Sequence, residues 1–265
     1  KYFNELNKLK WLEVPPTVLY ENESSYYLRD HKNLRMFGTQ GFNIVKMVSD
    51  VTKYGSVIME DSDLQLELEN AYIYSVDRRP GPTWIDIPFN IQSQESQIRD
   101  WNLKIVDKKK KFDSDLLINL LNNSKRPLIL GGNGIRLSNS QKDFNFFVNS
   151  TKIPTCLSWS GIDILPSNNN SFMGRFGIYG QRAANFIVQN ADLLIVIGSR
   201  LALPQTGYDL NAFANNAKIV VVDIDEELQF PIEKITKHFK IDCKVFLEEL
   251  TTKLEAFTGI NDKWI

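Results

Sequence analysis

Leu193-Leu194-Ile195-Val196-Ile197 is five apolar residues in a row, with none of the alternation that a half-exposed strand would show. A strand of this kind has to be covered on both faces, and that points to the inside of a parallel sheet flanked by helices. Similar apolar segments recur at helix-sized intervals. Residues 126–130, 153–159 and 218–224 read as strands, with a short strand candidate at 239–241. Residues 112–123, 140–150, 181–190 and 244–257 read as helices. The first carries an apolar face at Leu116, Leu117, Leu120 and Leu121, the second at Phe144, Phe147 and Val148. The expected fold is α/β, a doubly wound parallel sheet.

The first third of the chain is less regular. Residues 34–91 read as a helix, a loop, a helix and a strand: Phe42, Ile44, Val45 and Val48 share one face, and the second helix spans 60–76 with Asp61 and Ser62 as its caps. The strand at 83–87 is entered through Arg78-Arg79-Pro80-Gly81-Pro82, in which two prolines fix φ and remove two donors while Gly81 permits a turn. Residues 11–19 carry a turn and strand signal with little chain before them, as though the domain opened on a late strand. The polar stretch 92–111 reads as a linker, its four lysines at 108–111 solvated rather than a nucleic-acid patch, since no aromatics interleave them. The expected organisation is a partial α/β domain at 1–92, a linker at 93–111, a central domain at 112–257 and a tail at 258–265.

Hydrophobic residues make up 43% and charged residues 24%, and 31 basic against 32 acidic side chains leave a net charge of -1, so nothing in the balance draws the chain to nucleic acid or to an anionic membrane. Cys156 and Cys243 are the only cysteines, too far apart for a disulfide framework or a zinc site, and are expected as reduced thiols. No segment approaches the roughly 20 apolar residues of a membrane span, and the polar start lacks a signal-peptide layout. A cytoplasmic protein is expected. His31 and His238 have no Ser, Cys or acidic partner at a meaningful spacing, and no catalytic or metal-binding residue is assigned.

Ligands of open parallel sheets bind beyond the carboxyl ends of the strands, and three strand ends here are suggestive. Residues 128–130 run into Gly131-Gly132-Asn133-Gly134, 193–197 into Gly198-Ser199-Arg200, and 220–222 into Asp223-Ile224-Asp225. Glycines admit close approach by a phosphate or ribose, and an acid at a strand end can accept from ribose hydroxyls. The same glycines serve equally well to turn the chain, the G-x-G-x-x-G spacing is absent, and Arg200 could pair with a carboxylate instead.

The segment from Arg79 to Gln92 resembles the GRPGPVxxDIPxDxQ pattern that closes the pyrimidine-binding domain of thiamine-diphosphate enzymes of the acetolactate-synthase-like group, with Arg78 for the usual glycine and Asn90 for an acidic residue. Residues 126–135, 174–177, 182–185, 188–194, 197–201 and 222–225 resemble that family's central domain and keep its order. Thr52-Lys53-Tyr54, Gln205-Thr206-Gly207-Tyr208, Trp84 and Trp159 are similar to members found with sugar-polymer biosynthesis.

The resemblance implies a 2-oxo acid decarboxylase, with or without carboligation, that uses thiamine diphosphate and Mg²⁺ in its complete form and works as a homo-oligomer. It implies that the strand ends hold FAD, ADP or nothing, which makes Gly131, Gly132, Asn133, Gly198, Ser199, Arg200, Asp223 and Ile224 the nucleotide-site candidates. The family's ylid-forming glutamate and its Gly-Asp-Gly motif with paired asparagines have no counterpart here, and Leu19-Tyr20-Glu21-Asn22 departs from the usual Ile-Ser-Gly-Gln. The chain is therefore expected to be the back of a pyrimidine-binding domain plus a central domain, inactive alone. The other reading is a stand-alone FAD- or ADP-binding or interaction module.

Overall fold

The computed structural model describes residues 17–22, 43–95, 99–103, 112–260 and 264. Two compact units emerge, Lys1–Asp107 and Lys108–Ile265. The lysine run at 108–111, His31 and the turn signal at 11–16 lie outside the described residues.

In the first unit, three parallel strands form a sheet in the order β1 (Thr17–Asn22), β3 (Thr83–Pro88), β2 (Tyr54–Val57). β3 is the strand that the proline-rich turn leads into, and it takes the centre. Helices α1 (Ile44–Val48), α2 (Leu64–Val76) and α3 (Phe89–Gln92) accompany the sheet, with Ile58, Ala71, Ile85 and Ile91 as the buried core. α2 begins later than expected, because its cap is Asp63, whose carboxylate accepts from the Leu66 N–H at 3.1 Å, while the Ser62 hydroxyl is taken by the Met59 N–H.

The sequence reads 54–57 as loop, since Gly55 and Ser56 are poor strand formers; pairing with β3 overrides them. Tyr54 adds to this by stacking on Tyr74 at 5.1 Å and donating to Glu67, and burial followed by that hydrogen bond pushes its phenol up to about 12. The turn before β3 is held from outside. The Lys53 ammonium donates to the carbonyls of Asp77 and Arg79 at 2.6 and 2.8 Å. Arg78, standing where the family pattern has glycine, takes a left-handed φ of 54°, a conformation that costs a side-chain-bearing residue roughly 1–2 kcal/mol. Part of the expected linker is also tied down: the Arg99 and Asn102 amides donate to the side chains of Gln65 and Glu69 on α2.

The second unit is a six-stranded, wholly parallel sheet. Its strands are β4 (Pro127–Gly131), β5 (Thr155–Leu157), β6 (Phe172–Arg175), β7 (Leu193–Ile197), β8 (Lys218–Asp223) and β9 (Lys237–Lys240), ordered β6-β5-β4-β7-β8-β9. Counted from β4 this is 3-2-1-4-5-6, the doubly wound order whose direction reverses between β4 and β7. Ile129, Leu193, Ile195, Ile197, Val220 and Val222 face one way. They meet Leu117 and Leu121 of α4 (Ser114–Asn122), Phe144, Phe147 and Val148 of α6 (Gln141–Thr151) and Phe246, Leu247 and Leu250 of α9 (Cys243–Thr251). Leu128, Leu130, Leu194, Val196, Ile219 and Val221 face the other way, onto Ala184 and Val188 of α7 (Arg182–Asn190) and onto Phe213 and Phe230. Two short helices, α5 (Gly134–Leu137) and α8 (Leu203–Thr206), follow β4 and β7.

The differences from the sequence reading have local causes. β5 shrinks to three residues because Pro154 has no N–H to pair and Trp159 enters a 3-10 turn. β6 goes unread in the sequence because it is short and interrupted by Gly174, at φ 107°. α9 stops at Thr251, short of 257. Cys156 and Cys243 are unpaired and buried, and burial pushes Cys156 up to about 12 and Cys243 higher still, far from a reactive thiolate. His238 lies within the edge strand β9, its pKa held down by burial and by Lys240.

Two predictions follow from this packing. Phe147 is fully buried while its neighbour Phe146 is 58% exposed, so Phe147→Ala should cost about 3–5 kcal/mol and Phe146→Ala about 0.5 or less, read from denaturant midpoints. Asp192 is pushed up by partial burial but held, on balance, below the usual carboxylate range by the Ser124 hydroxyl and the Lys125 and Arg126 amides, which bind it just ahead of β4. A lowered folded pKa contributes stability above the unfolded value of about 3.9 and loses it as pH falls through the folded one. The advantage of the native chain over Asp192→Asn should therefore narrow below roughly pH 4 in acid-unfolding curves.

Candidate functional site

The direction of winding reverses between β4 and β7, and the carboxyl ends of these two adjacent strands are where an open sheet leaves a crevice. β8 lies next to β7, so the three strand ends singled out in the sequence come together along one edge of the sheet. That edge is built by glycine. Gly131 is the last residue of β4, opposite Ile197. The next amide, Gly132 N–H, donates to the Ile197 carbonyl at 2.9 Å, and Gly134 N–H donates to the Gly198 carbonyl at 2.9 Å. The two turns lie so close that a Cβ on Gly132 would sit 2.2 Å from the Gly198 oxygen, and one on Gly198, at φ 61°, would sit 2.7 Å from Gly134 Cα. These glycines serve loop-to-loop contact first, and two of their amides are spent on it.

The remaining candidates divide into held and available groups. The Asn133 side chain accepts from Arg136, whose guanidinium also donates to the Ser160 carbonyl at 2.7 Å and pairs with Asp163. The Ser199 hydroxyl is buried and donates to Gln205 Oε1 at 3.0 Å, the same oxygen that accepts from the Ala202 N–H at 3.1 Å. Asp223 is buried at the end of β8 and accepts from the Asp225 N–H at 3.0 Å; Ile224 is half-buried beside it. The Arg200 side chain is exposed. Among the described residues the backbone N–H groups of Asn133, Ser199 and Arg200 donate to no protein acceptor. Leu201 follows at φ 50° and is buried, a strained conformation of the kind that collects at ligand clamps.

Three free amides, a guanidinium and a buried strand-end carboxylate are the donor set that a nucleotide requires: hydrogen bonds for phosphate oxygens, a cation beside them and an acceptor for ribose hydroxyls. The same chain does not fit thiamine diphosphate and its metal. It has no Gly-Asp-Gly, and among the described residues no group of three or more His, Cys, Asp or Glu is arranged to hold a metal ion.

Sequence reasoning missed the loop after β6. Arg175-Phe176-Gly177-Ile178-Tyr179-Gly180 is closed by Gln181, whose side chain accepts from the Arg175 N–H at 2.6 Å while its own N–H donates to the Arg175 carbonyl at 2.9 Å. Asn185 holds Gly177 in both directions, at 2.8 and 3.0 Å. The signal was there, a glycine at each end of an aromatic-bearing turn, but without β6 the turn has no position relative to the sheet.

The family described as thiamine pyrophosphate enzyme, central domain, matches residues 115–250, from within α4 to the end of α9. The chain is 31% identical over 237 residues to acetolactate synthase 1, chloroplastic, of Nicotiana tabacum, covering 85% of this chain and 35% of that protein. It is 33% identical over 233 residues to the probable acetolactate synthase 2, chloroplastic, of Oryza sativa subsp. japonica, covering 83% and 34%. With the acetolactate synthase large subunit of Lactococcus lactis subsp. lactis it shares 31% identity over 232 residues, covering 85% and 40%. The matched part thus amounts to between a third and two fifths of each of these relatives. Among the described residues no helix is long and apolar enough to cross a membrane.

The glycine contact yields a stability prediction. Gly132→Ala should cost about 3 kcal/mol, since backbone has to move, whereas Gly207→Ala, at φ 78° with open space around it, should cost only the roughly 1–2 kcal/mol of its backbone conformation, both by denaturant titration.

Proposed function

This chain belongs to the thiamine-diphosphate enzymes of the acetolactate-synthase-like group, and from that premise we propose that it is the nucleotide-holding, non-catalytic portion of an enzyme that decarboxylates a 2-oxo acid and passes the acyl unit to a second carbonyl compound. The observation that carries the reading is the coincidence of the family match with a 3-2-1-4-5-6 sheet whose reversal point presents the free amides of Asn133, Ser199 and Arg200. When bound in the complete enzyme, thiamine diphosphate with Mg²⁺ supplies the carbanion-stabilising chemistry; these 265 residues do not carry the groups that hold it.

What the chain itself offers is a bed for FAD or ADP. Gly131, Gly132 and Gly198 fix the two turns against each other. Asn133, Ser199 and Arg200 reach the phosphates, and Asp223 with Ile224 takes the ribose side. A homo-oligomeric enzyme is the family-based part of the proposal. A reducing, cytoplasm-like compartment accords with two unpaired thiols. The second reading, a nucleotide-binding module with no enzyme around it, draws on the second unit having its own doubly covered sheet.

Isothermal calorimetry of the 265-residue chain against FAD and ADP tests the reading. At least one should bind, and Arg200→Ala should weaken it about 10-fold, the value of one charge-assisted contact. No heat with either nucleotide removes the nucleotide part of the proposal. Turnover of pyruvate by this chain alone, with thiamine diphosphate and Mg²⁺ added, would overturn the non-catalytic assignment.

A further inference from the structure

Trp159 and Tyr179 form an edge-to-face pair, ring centroids 5.0 Å apart and planes at 90°, yet they remain 61% and 67% exposed. Neither ring is spent on the core. The two come from different strands, and their loops are tied to opposite sides of the reversal point. Trp159 opens the 3-10 turn after β5, which is fastened to the β4 turn: Ser158 N–H donates to the Gly131 carbonyl at 2.8 Å, and Arg136 reaches across to the Ser160 carbonyl. Tyr179 sits in the turn after β6, which is fastened to the β7 side. There Ile178 N–H donates to the Pro204 carbonyl at 2.8 Å, and Gly177 packs so tightly that a Cβ would lie 2.5 Å from the same oxygen. Pro204 belongs to α8, whose Gln205 holds Ser199.

We propose that Trp159 and Tyr179 are a stacking platform for the planar heteroaromatic ring of the nucleotide whose phosphates and ribose lie at the β4, β7 and β8 strand ends; this rests on the nucleotide reading above. Two rigid aromatic side chains with open faces are an economical way to hold a flat ring, because stacking asks for surface and little reorganisation. A second observation in the same loop points to a ligand. Arg175 Nε is buried and has no acceptor among the described residues, and a ligand oxygen would complete it. The pair accepts a purine or an isoalloxazine by the same chemistry.

The test compares the native chain with Trp159→Ala, Trp159→Phe and Tyr179→Ala by calorimetry against ADP, FMN and FAD, with thermal midpoints as a folding control. ADP presents the purine alone, FMN the isoalloxazine alone and FAD both, so the ring that the platform takes is the one whose affinity falls. Trp159→Ala and Tyr179→Ala should each weaken that ligand about 10- to 100-fold with midpoints unchanged, and Trp159→Phe should recover most of the loss, since phenyl still stacks. Equal affinities across all four chains, or equal loss in Trp159→Phe and Trp159→Ala, overturn the platform while leaving the nucleotide site standing. Failure of the native chain to bind ADP, FMN or FAD overturns both. If the alanine variants change the sedimentation of the chain and not its ligand affinity, the pair is a contact between copies and the proposal falls.

Discussion

The second unit depends on one contact: the backbone of the β4 turn lying directly on the backbone of the β7 turn. Two hydrogen bonds, from Gly132 to the Ile197 carbonyl and from Gly134 to the Gly198 carbonyl, carry the pairing of β4 and β7 past the ends of the strands. No side chain fits between the turns. The winding of the sheet reverses at this place, so the same contact determines which amides remain for anything bound there. It removes Gly132 and Gly134 from the set and leaves Asn133, Ser199 and Arg200. The surrounding polar side chains lock the arrangement: Arg136 ties the β4 turn to the loop after β5, and Gln205 ties the β7 turn to α8.

Much of the architecture could be read from the residues. Leu193–Ile197 is a strand with the bounds expected, because an unbroken apolar run admits no other placement in a sheet covered on both faces. The two apolar faces of β4, β7 and β8 follow from side-chain alternation once that sheet exists. What escaped were elements whose stability comes from their neighbours. β2 carries Gly55 and Ser56 and exists because β3 offers it a paired edge. β6 bends at Gly174 and exists because β5 does. Helix starts were misplaced wherever adjacent residues competed to cap, as at Asp61, Ser62 and Asp63.

The site was legible as a set of strand ends and illegible as a set of roles. Glycines in a turn predict close approach without saying what approaches, and here it is the neighbouring turn. Ser199 looks like a ligand in the sequence and is committed to Gln205 in the fold. Trp159 and Tyr179 lie 20 positions apart, and only the tethering of their loops to β4 and α8 brings them together. In the first unit, the Arg78–Pro82 turn shows the opposite case. The resemblance located it, and the structure supplies the physics, a left-handed Arg78 clasped between Lys53 and the start of β3.

The central claim is that the β4/β7 mouth binds a nucleotide through amides that the glycine contact leaves free. Backbone amide NMR during titration with FAD and with ADP tests it most directly. The account predicts that the largest shifts fall on Asn133, Ser199 and Arg200, with Asp223 and Ile224 following and the first unit unmoved. Saturating nucleotide that leaves those three amides in place, or moves resonances elsewhere instead, would contradict it.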